Sequence, residues 1–259
     1  MANLIRSAKS GNDWTARELA AYNITIVSQT KNEFFGTNEL PAPGPLTRSL
    51  VAFMTNDDRA NAPDDESWRL LHYLDLALDP KAGQEAAADN FTAKLLEKLA
   101  YNGGRRIVFM RRALPFLTCG VTSSAQTDIC VMDDNKILLL VQNKSLLSFK
   151  DPEPQVIAEA IAAYAMNNKV RQDSLGLPPL ASITFPAITM VGTNPYFYKI
   201  TVTAELSAAV QQGMYPTAKT KVLKYVPVLP RRHSLGMRPL ENRVELMMCL
   251  ESFKQFLGN

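Results

Sequence analysis

The sequence predicts an α/β fold in which helices flank a mixed β-sheet. Short apolar runs of strand length alternate with longer segments of helical spacing along the chain. Residues 137–141 are apolar at every position, as in a strand that is buried on both faces. Residues 155–168 have the length and the apolar spacing of a core helix.

Composition limits the classes of function. The 259 residues are 46% hydrophobic and 20% charged, which is typical of a globular protein. No stretch of 18 continuous apolar residues predicts a membrane span, and the N-terminus lacks a signal-peptide core. Three cysteines, none in a CxxC motif, favour an intracellular location such as cytoplasm or nucleus. The net charge of +3 permits a nucleic-acid partner without requiring one.

Residues 1–88 are predicted to form an α/β extension that packs on the core. A cap signal starts a helix over residues 12–22, and a short strand follows at 23–27. Residues 32–45 are rich in glycine and proline and predict a turn-rich connection. After an exposed loop, residues 68–78 have the apolar spacing of a helix.

Residues 89–259 are predicted to form the core and a C-terminal helix, within one compact unit that includes the extension. A helix begins at Asp89 and ends before Gly103. Strands follow at 105–112, 127–132 and 137–142, and Asp133-Asp134-Asn135 between the last two predicts an antiparallel hairpin. The later predicted elements are the helix at 155–168, strands at 182–191 and 197–203, a helix at 204–212, a proline- and lysine-rich crossing segment, and a helix at 240–257.

A polar group is predicted at one end of the hairpin. Because side chains alternate along a strand, Gln142 and Lys144 point to one face and Asn143 to the other. Asp128, 14 residues before Gln142, falls beside it on the paired strand. Carboxylate and amide oxygens suit a hard cation such as Mg²⁺, and a neighbouring lysine can stabilise charge on a phosphate. The alternative is the solvated end of a strand.

The order helix, three strands, helix, strand over residues 89–191, with D-x13-QxK on the hairpin, resembles the PD-(D/E)XK nuclease superfamily. The resemblance implies a restriction-endonuclease-like fold with N- and C-terminal additions. It implies that Asp128 and Gln142 bind Mg²⁺ or Mn²⁺, with the backbone carbonyl of Asn143, and that Lys144 is the catalytic lysine. Gln142 departs from the Asp or Glu usual there, which removes a negative charge and weakens metal binding or activity.

The helix after the hairpin adds two candidates. Gln155 and Glu159 share a face of the helix. Some members of the PD-(D/E)XK superfamily, which this chain resembles, carry QxxxY on this helix. Glu159 stands where that pattern has Tyr, and with Gln155 it is a candidate for orienting the attacking water. The alternative is a capping glutamine and a solvent-facing glutamate. Glu97 is the candidate for an acid on the first helix, although its helical angle predicts a surface position.

Basic residues flank the first core strand and could contact a phosphate backbone. We assign the nucleic-acid-binding role to Gln155 and to Arg105, Arg106, Arg111 and Arg112. The alternative is an ordinary charged surface.

The function predicted from sequence is therefore a metal-dependent phosphodiesterase that acts on nucleic acid. The alternative is a weak or inactive nuclease-fold module that binds nucleic acid or a protein, and a structural protein with an accidental resemblance is the third reading. The choice of DNA or RNA and the oligomeric state stay open.

Overall fold

Seven strands form one mixed sheet in the order β1-β7-β6-β5-β4-β3-β2. A computed structural model describes residues 7–44, 46–84, 86–145 and 150–258. The β1–β7 and β4–β5 pairs are parallel and the other pairs are antiparallel. The strands are β1 Ile24–Ser28, β2 Arg106–Thr118, β3 Val121–Asp133, β4 Lys136–Lys144, β5 Ser182–Val191, β6 Asn194–Thr203 and β7 Thr220–Tyr225.

Helices cover both faces of the sheet. The helices are α1 Ala16–Ala21, α2 Lys31–Phe35, α3 Arg48–Thr55, α4 Asp65–Leu78, α5 Ala87–Lys98, α6 Glu153–Leu175, α7 Ala204–Gln212 and α8 Leu240–Phe253. One hydrophobic core joins α2, α3, α4, α5 and α8 to the face that carries Val141. A second core joins α1, α6 and α7 to the face that carries Leu140. The predicted α/β class, with helices flanking a mixed sheet, is confirmed.

The predicted element order between residues 89 and 191 is observed as α5-β2-β3-β4-α6-β5. The hairpin of β3 and β4 is antiparallel, as the turn residues predicted. Strands β2 and β3 are each 13 residues long, so both extend well beyond the predicted runs. Helix α6 has 23 residues and is buried at every position from Pro154 to Tyr164.

Two of the predicted connections are wrong because they contain regular structure. Residues 31–35 form α2, which Thr30 and Glu33 start with a reciprocal capping box. The crossing segment contains β7, which pairs with β1 in parallel from a distance of about 190 residues, so no local turn signalled it. Helix α3 was not predicted at all.

The terminal regions share the sheet with the centre. Strand β1 of the extension forms one edge, and its partner β7 comes from the C-terminal part. Phe34 of the extension stacks on Phe253 of α8, with ring centroids 6.2 Å apart. Across the described ranges, the structure has no helix with both the length and the apolar character needed to span a membrane.

Candidate functional site

The candidate site lies where the pairing of β3 with β4 ends, beyond Ile129 and Val141. We call this place the fork. The register of the hairpin runs from Asp133 opposite Lys136 to Ile129 opposite Val141. Beyond that pair β3 continues beside β2, whereas β4 continues beside β5 as far as Lys144. The next residue of β3, Asp128, therefore stands at the opening between the two strands.

Asp128 is held by two donors from β4. Its Oδ2 accepts hydrogen bonds from Gln142 Nε2 and, at 2.8 Å, from the backbone N–H of Asn143. In the part of the chain that the structure describes, both bonds go to Oδ2, so Oδ1 is left for another partner. The predicted proximity of Asp128 and Gln142 is confirmed.

A chain of side-chain hydrogen bonds continues from Gln142 to Lys144. Gln155 Nε2 donates to Gln142 Oε1 at 2.8 Å, and Lys144 Nζ donates to Gln155 Oε1 at 3.2 Å. Gln155 Nε2 also lies 3.3 Å from Asn12 Oδ1, an oxygen that accepts from the backbone N–H of Gln126. Gln155 is thus at the site and is more than a capping residue.

Asn143 points to the opposite face, as strand alternation predicted. Its Nδ2 donates to Asp89 Oδ1 at 2.9 Å, and Thr92 Oγ1 donates to its Oδ1 at 3.3 Å. Its backbone carbonyl, the predicted metal ligand, lies 3.4 Å from Gln142 Nε2. Asn143 therefore links Asp128, through its backbone, to Asp89, through its side chain.

Asp89 is a site residue that the sequence did not single out. It lies in the first turn of α5, and the only available signal was its position at the start of the helix that precedes the hairpin. The helix acid considered from sequence, Glu97, instead forms an ion pair with Lys94 at 2.8 Å and is partly exposed. That outcome agrees with the surface position predicted for Glu97.

Burial makes the negative charges of the two aspartates at the fork unfavourable. Burial is the main cause that raises the pKa of Asp128 from 3.8 to about 6, and the charge of Asp89 adds to it. Burial also raises the pKa of Asp89. The Asn143 N–H and the cations Lys144 and Arg111 act in the opposite direction on Asp128. A cation placed between the two aspartates would relieve this cost.

Glu159 lies on α6, one turn after Gln155, and is 0% exposed. Among the described residues, neither of its oxygens has a hydrogen-bond partner. Burial, followed by the charge of Asp128, raises its pKa well above the usual value, although Gln155 and Thr127 are near enough to oppose the rise. The alternative of a solvent-facing glutamate is therefore wrong. The predicted role in orienting a water stays a prediction.

Two of the four arginines lie in the middle of β2 and two lie at its start. Arg111 stands opposite Asp128, between the pairs Met110–Ile129 and Arg112–Thr127, with a left-handed φ of 55° that interrupts the ladder. Arg112 is half-buried beside it.

The other two arginines lie at the far end of the hairpin. Arg105 pairs there with Asp134 at 2.6 Å, and Arg106 donates to the carbonyl of Gly258 at 2.8 Å. These two residues do not adjoin the fork. Any contact that they make with nucleic acid stays a prediction.

The residues at the fork fit a hard divalent cation. Asp128 and Asp89 supply carboxylate oxygens, and burial raises the pKa of both. No three His, Cys, Asp or Glu side chains cluster as a metal site within the described ranges. Mg²⁺ usually keeps several waters and binds through one or two carboxylates, so this donor set is of the ordinary size.

A scan against protein-family models and a search of curated proteins found no match to this chain.

Proposed function

We propose that this protein is a metal-dependent phosphodiesterase that hydrolyses nucleic acid at the fork between β3 and β4. The observation that carries the proposal is the grouping of two aspartates, Asp89 and Asp128, with Lys144 at one opening of the sheet. The element order α5-β2-β3-β4-α6-β5 supports a restriction-endonuclease-like core of the PD-(D/E)XK type.

Each residue at the fork has a distinct role in this proposal. Asp128 and Asp89 would hold Mg²⁺ or Mn²⁺, with Gln142 contributing an amide oxygen. A bound cation of this kind supplies Lewis-acid stabilisation and a more acidic water. Lys144 stabilises the negative charge that develops on the phosphate and positions the water.

The reaction needs a positive surface that brings the phosphate to the fork. Arg111 is exposed, lies opposite Asp128 and is close enough to lower the pKa of both aspartates. We assign it to a neighbouring phosphate of the backbone. Water adds to phosphorus, the phosphorus–oxygen ester bond breaks, and the products are a phosphate monoester and a free hydroxyl end.

One observation favours a second function, a nuclease-fold module that binds without cutting. The Gln142 amide donates its N–H group to Asp128 and turns its oxygen to Gln155. In this orientation the amide takes a place beside Asp128 that a cation would otherwise share. A protein that kept this arrangement permanently would bind nucleic acid or a protein partner without metal chemistry.

A cleavage assay separates the two functions. Single-stranded DNA, duplex DNA and RNA are each incubated with the wild type in Mg²⁺, in Mn²⁺ and in EDTA, beside Lys144→Ala. Lys136→Ala is the matched control, because Lys136 is an exposed lysine at the other end of the same strand. We expect metal-dependent cleavage that falls at least about 100-fold in Lys144→Ala and stays near wild type in Lys136→Ala.

Other outcomes are equally informative. Equal cleavage by all three proteins would mean that the fork does not carry the reaction. Folded wild type that binds nucleic acid in EDTA and cuts none of the substrates would favour the binding module instead.

A further inference from the structure

We infer that Gln142 and Gln155 form a two-amide switch that couples cation binding at Asp128 to the release of Lys144. This inference rests on the proposed function and concerns how its parts work together. Its basis is the direction of the hydrogen-bond chain Lys144–Gln155–Gln142–Asp128.

The direction of this chain is fixed at both ends. An ammonium group can only donate, so Lys144 requires the oxygen of Gln155. An ionised carboxylate can only accept, so Asp128 requires the nitrogen of Gln142. The two amides then meet with Gln155 Nε2 facing Gln142 Oε1 at 2.8 Å, which is the one complementary arrangement.

Asn12 holds Gln155 in the same direction. Its Oδ1 accepts from the backbone N–H of Gln126 at 3.3 Å, so it faces Gln155 as an acceptor. Gln155 Nε2 lies 3.3 Å from that oxygen. Gln142 and Gln155 are 1% and 4% exposed, so water cannot readily take over these bonds if they break.

For the Gln142 oxygen to bind a cation, the hydrogen bonds of this chain must run in the opposite direction. To present Oε1 to a cation shared with Asp128, the Gln142 amide must turn over, and its nitrogen then faces Gln155. Gln155 must turn as well to offer its oxygen. Its nitrogen then faces the ammonium of Lys144, and two donors cannot bond. Lys144 is thereby freed to contact a phosphate.

The switch predicts weak cation binding in the wild type and a specific way to strengthen it. A carboxylate in place of the Gln155 amide accepts from both neighbours, so Gln142 can turn its oxygen toward Asp128 while Lys144 keeps its acceptor, although the bond to Asn12 Oδ1 is lost. The same carboxylate holds Lys144 more strongly. We therefore expect Gln155→Glu to bind Mn²⁺ about tenfold more tightly than wild type while cleaving more slowly at saturating Mn²⁺.

Asn12→Asp is the matched control for charge. It adds one negative charge next to Gln155, but as an acceptor it reinforces the present direction of that amide. Isothermal titration calorimetry with Mn²⁺ compares wild type, Gln155→Glu and Asn12→Asp, after circular dichroism has shown that each is folded. We expect Asn12→Asp to stay within about threefold of wild type.

The outcomes separate the switch from the proposed function. Equal tightening in both variants would mean that added charge alone acts, and it would overturn the switch. An unchanged affinity in Gln155→Glu would also overturn it. Tightening in Gln155→Glu alone, in a protein that cleaves no substrate, would support the switch and reject the nuclease. No Mn²⁺ binding by any of the three proteins would overturn both.

Discussion

Arg243 and Glu159 are both buried ionisable residues, but they differ in their hydrogen bonds. Arg243 of α8 is 1% exposed and donates to four backbone carbonyl groups. Its acceptors are the carbonyls of Met237 at 3.0 Å, Phe53 at 2.5 Å, Asn56 at 2.8 Å and Arg238 at 3.3 Å. Glu159 is equally buried, and among the described residues neither of its oxygens has a partner.

The difference lies in hydrogen bonding, because burial disfavours the charged form of both residues and lowers the pKa of Arg243 to about 10. Arg243 joins α8 to the C-terminal end of α3, where helix carbonyls lack partners within the helix. Glu159, Asp128 and Asp89 have raised pKa values because burial disfavours their charges. Buried carboxylates with raised pKa values are a mark of functional sites, and here they lie at and beside the fork.

Removing Arg243 should produce the largest loss of stability. Arg243→Met keeps most of the apolar stem but removes the donor to four carbonyls, two of them buried and two partly buried. We expect the free energy of unfolding to fall by roughly 3–5 kcal/mol. Guanidinium denaturation measures this loss, with exposed Arg232→Met as a control that should change little. A loss below about 1 kcal/mol would mean that Arg243 is not a structural anchor.

Asp128 should contribute a pH dependence of intermediate size. Its pKa is about 6 in the folded protein and 3.8 for an ordinary aspartate, as in the unfolded chain, so the folded protein binds the proton more tightly. The favourable contribution is therefore complete below pH 4 and is lost as pH rises through 6. We expect Asp128→Asn to gain roughly 2–3 kcal/mol relative to wild type between pH 4 and pH 7.

Denaturant unfolding at several pH values tests this expectation. The control is Asp134→Asn, an exposed aspartate at the turn of the same hairpin, paired with Arg105. A constant difference between Asp128→Asn and wild type across this range would show that the Asp128 carboxylate is not destabilised by the fold.

Glu159→Gln should stabilise the protein as pH rises, and here the direction of the change is what is predicted. The amide keeps the size of the side chain and cannot be charged, so the burial cost above pH 5 disappears. We expect a gain in the free energy of unfolding that vanishes near pH 4 and grows as pH rises above the ordinary pKa of a glutamate, measured at about pH 4 and pH 8 beside Glu97→Gln on the surface. A loss at both pH values would instead mean that Glu159 has a bonding partner in solution.

The hairpin was predictable because its determinants are local. The turn Asp133-Asp134-Asn135 sets the antiparallel pairing of the two strands, and a bulge between Val131 and Met132 shifts the register by one residue, which brings Asp128 beside Gln142. Strand alternation then assigned Gln142 and Lys144 to one face and Asn143 to the other.

The missing parts depend on contacts between distant segments. Asp89 reaches the fork only because α5 packs on the face that carries Asn143. Strand β7 pairs with β1, which is distant in sequence. Because the two strands are parallel, no turn connects them directly, and the sequence carries no local signal of the pairing. The direction of the Gln142 amide follows from Lys144 and Asp128 together, so neither residue type nor spacing could predict it.

The central claim is that the fork binds a divalent cation, and paramagnetic broadening locates that cation directly. Substoichiometric Mn²⁺ is added to ¹⁵N-labelled wild type and Asp128→Asn, and amide signals are followed by NMR. We predict that Asp128, Gln142 and Asn143 broaden first in wild type and that this broadening is lost in Asp128→Asn. Selective broadening elsewhere, or the same pattern in both proteins, would contradict the claim.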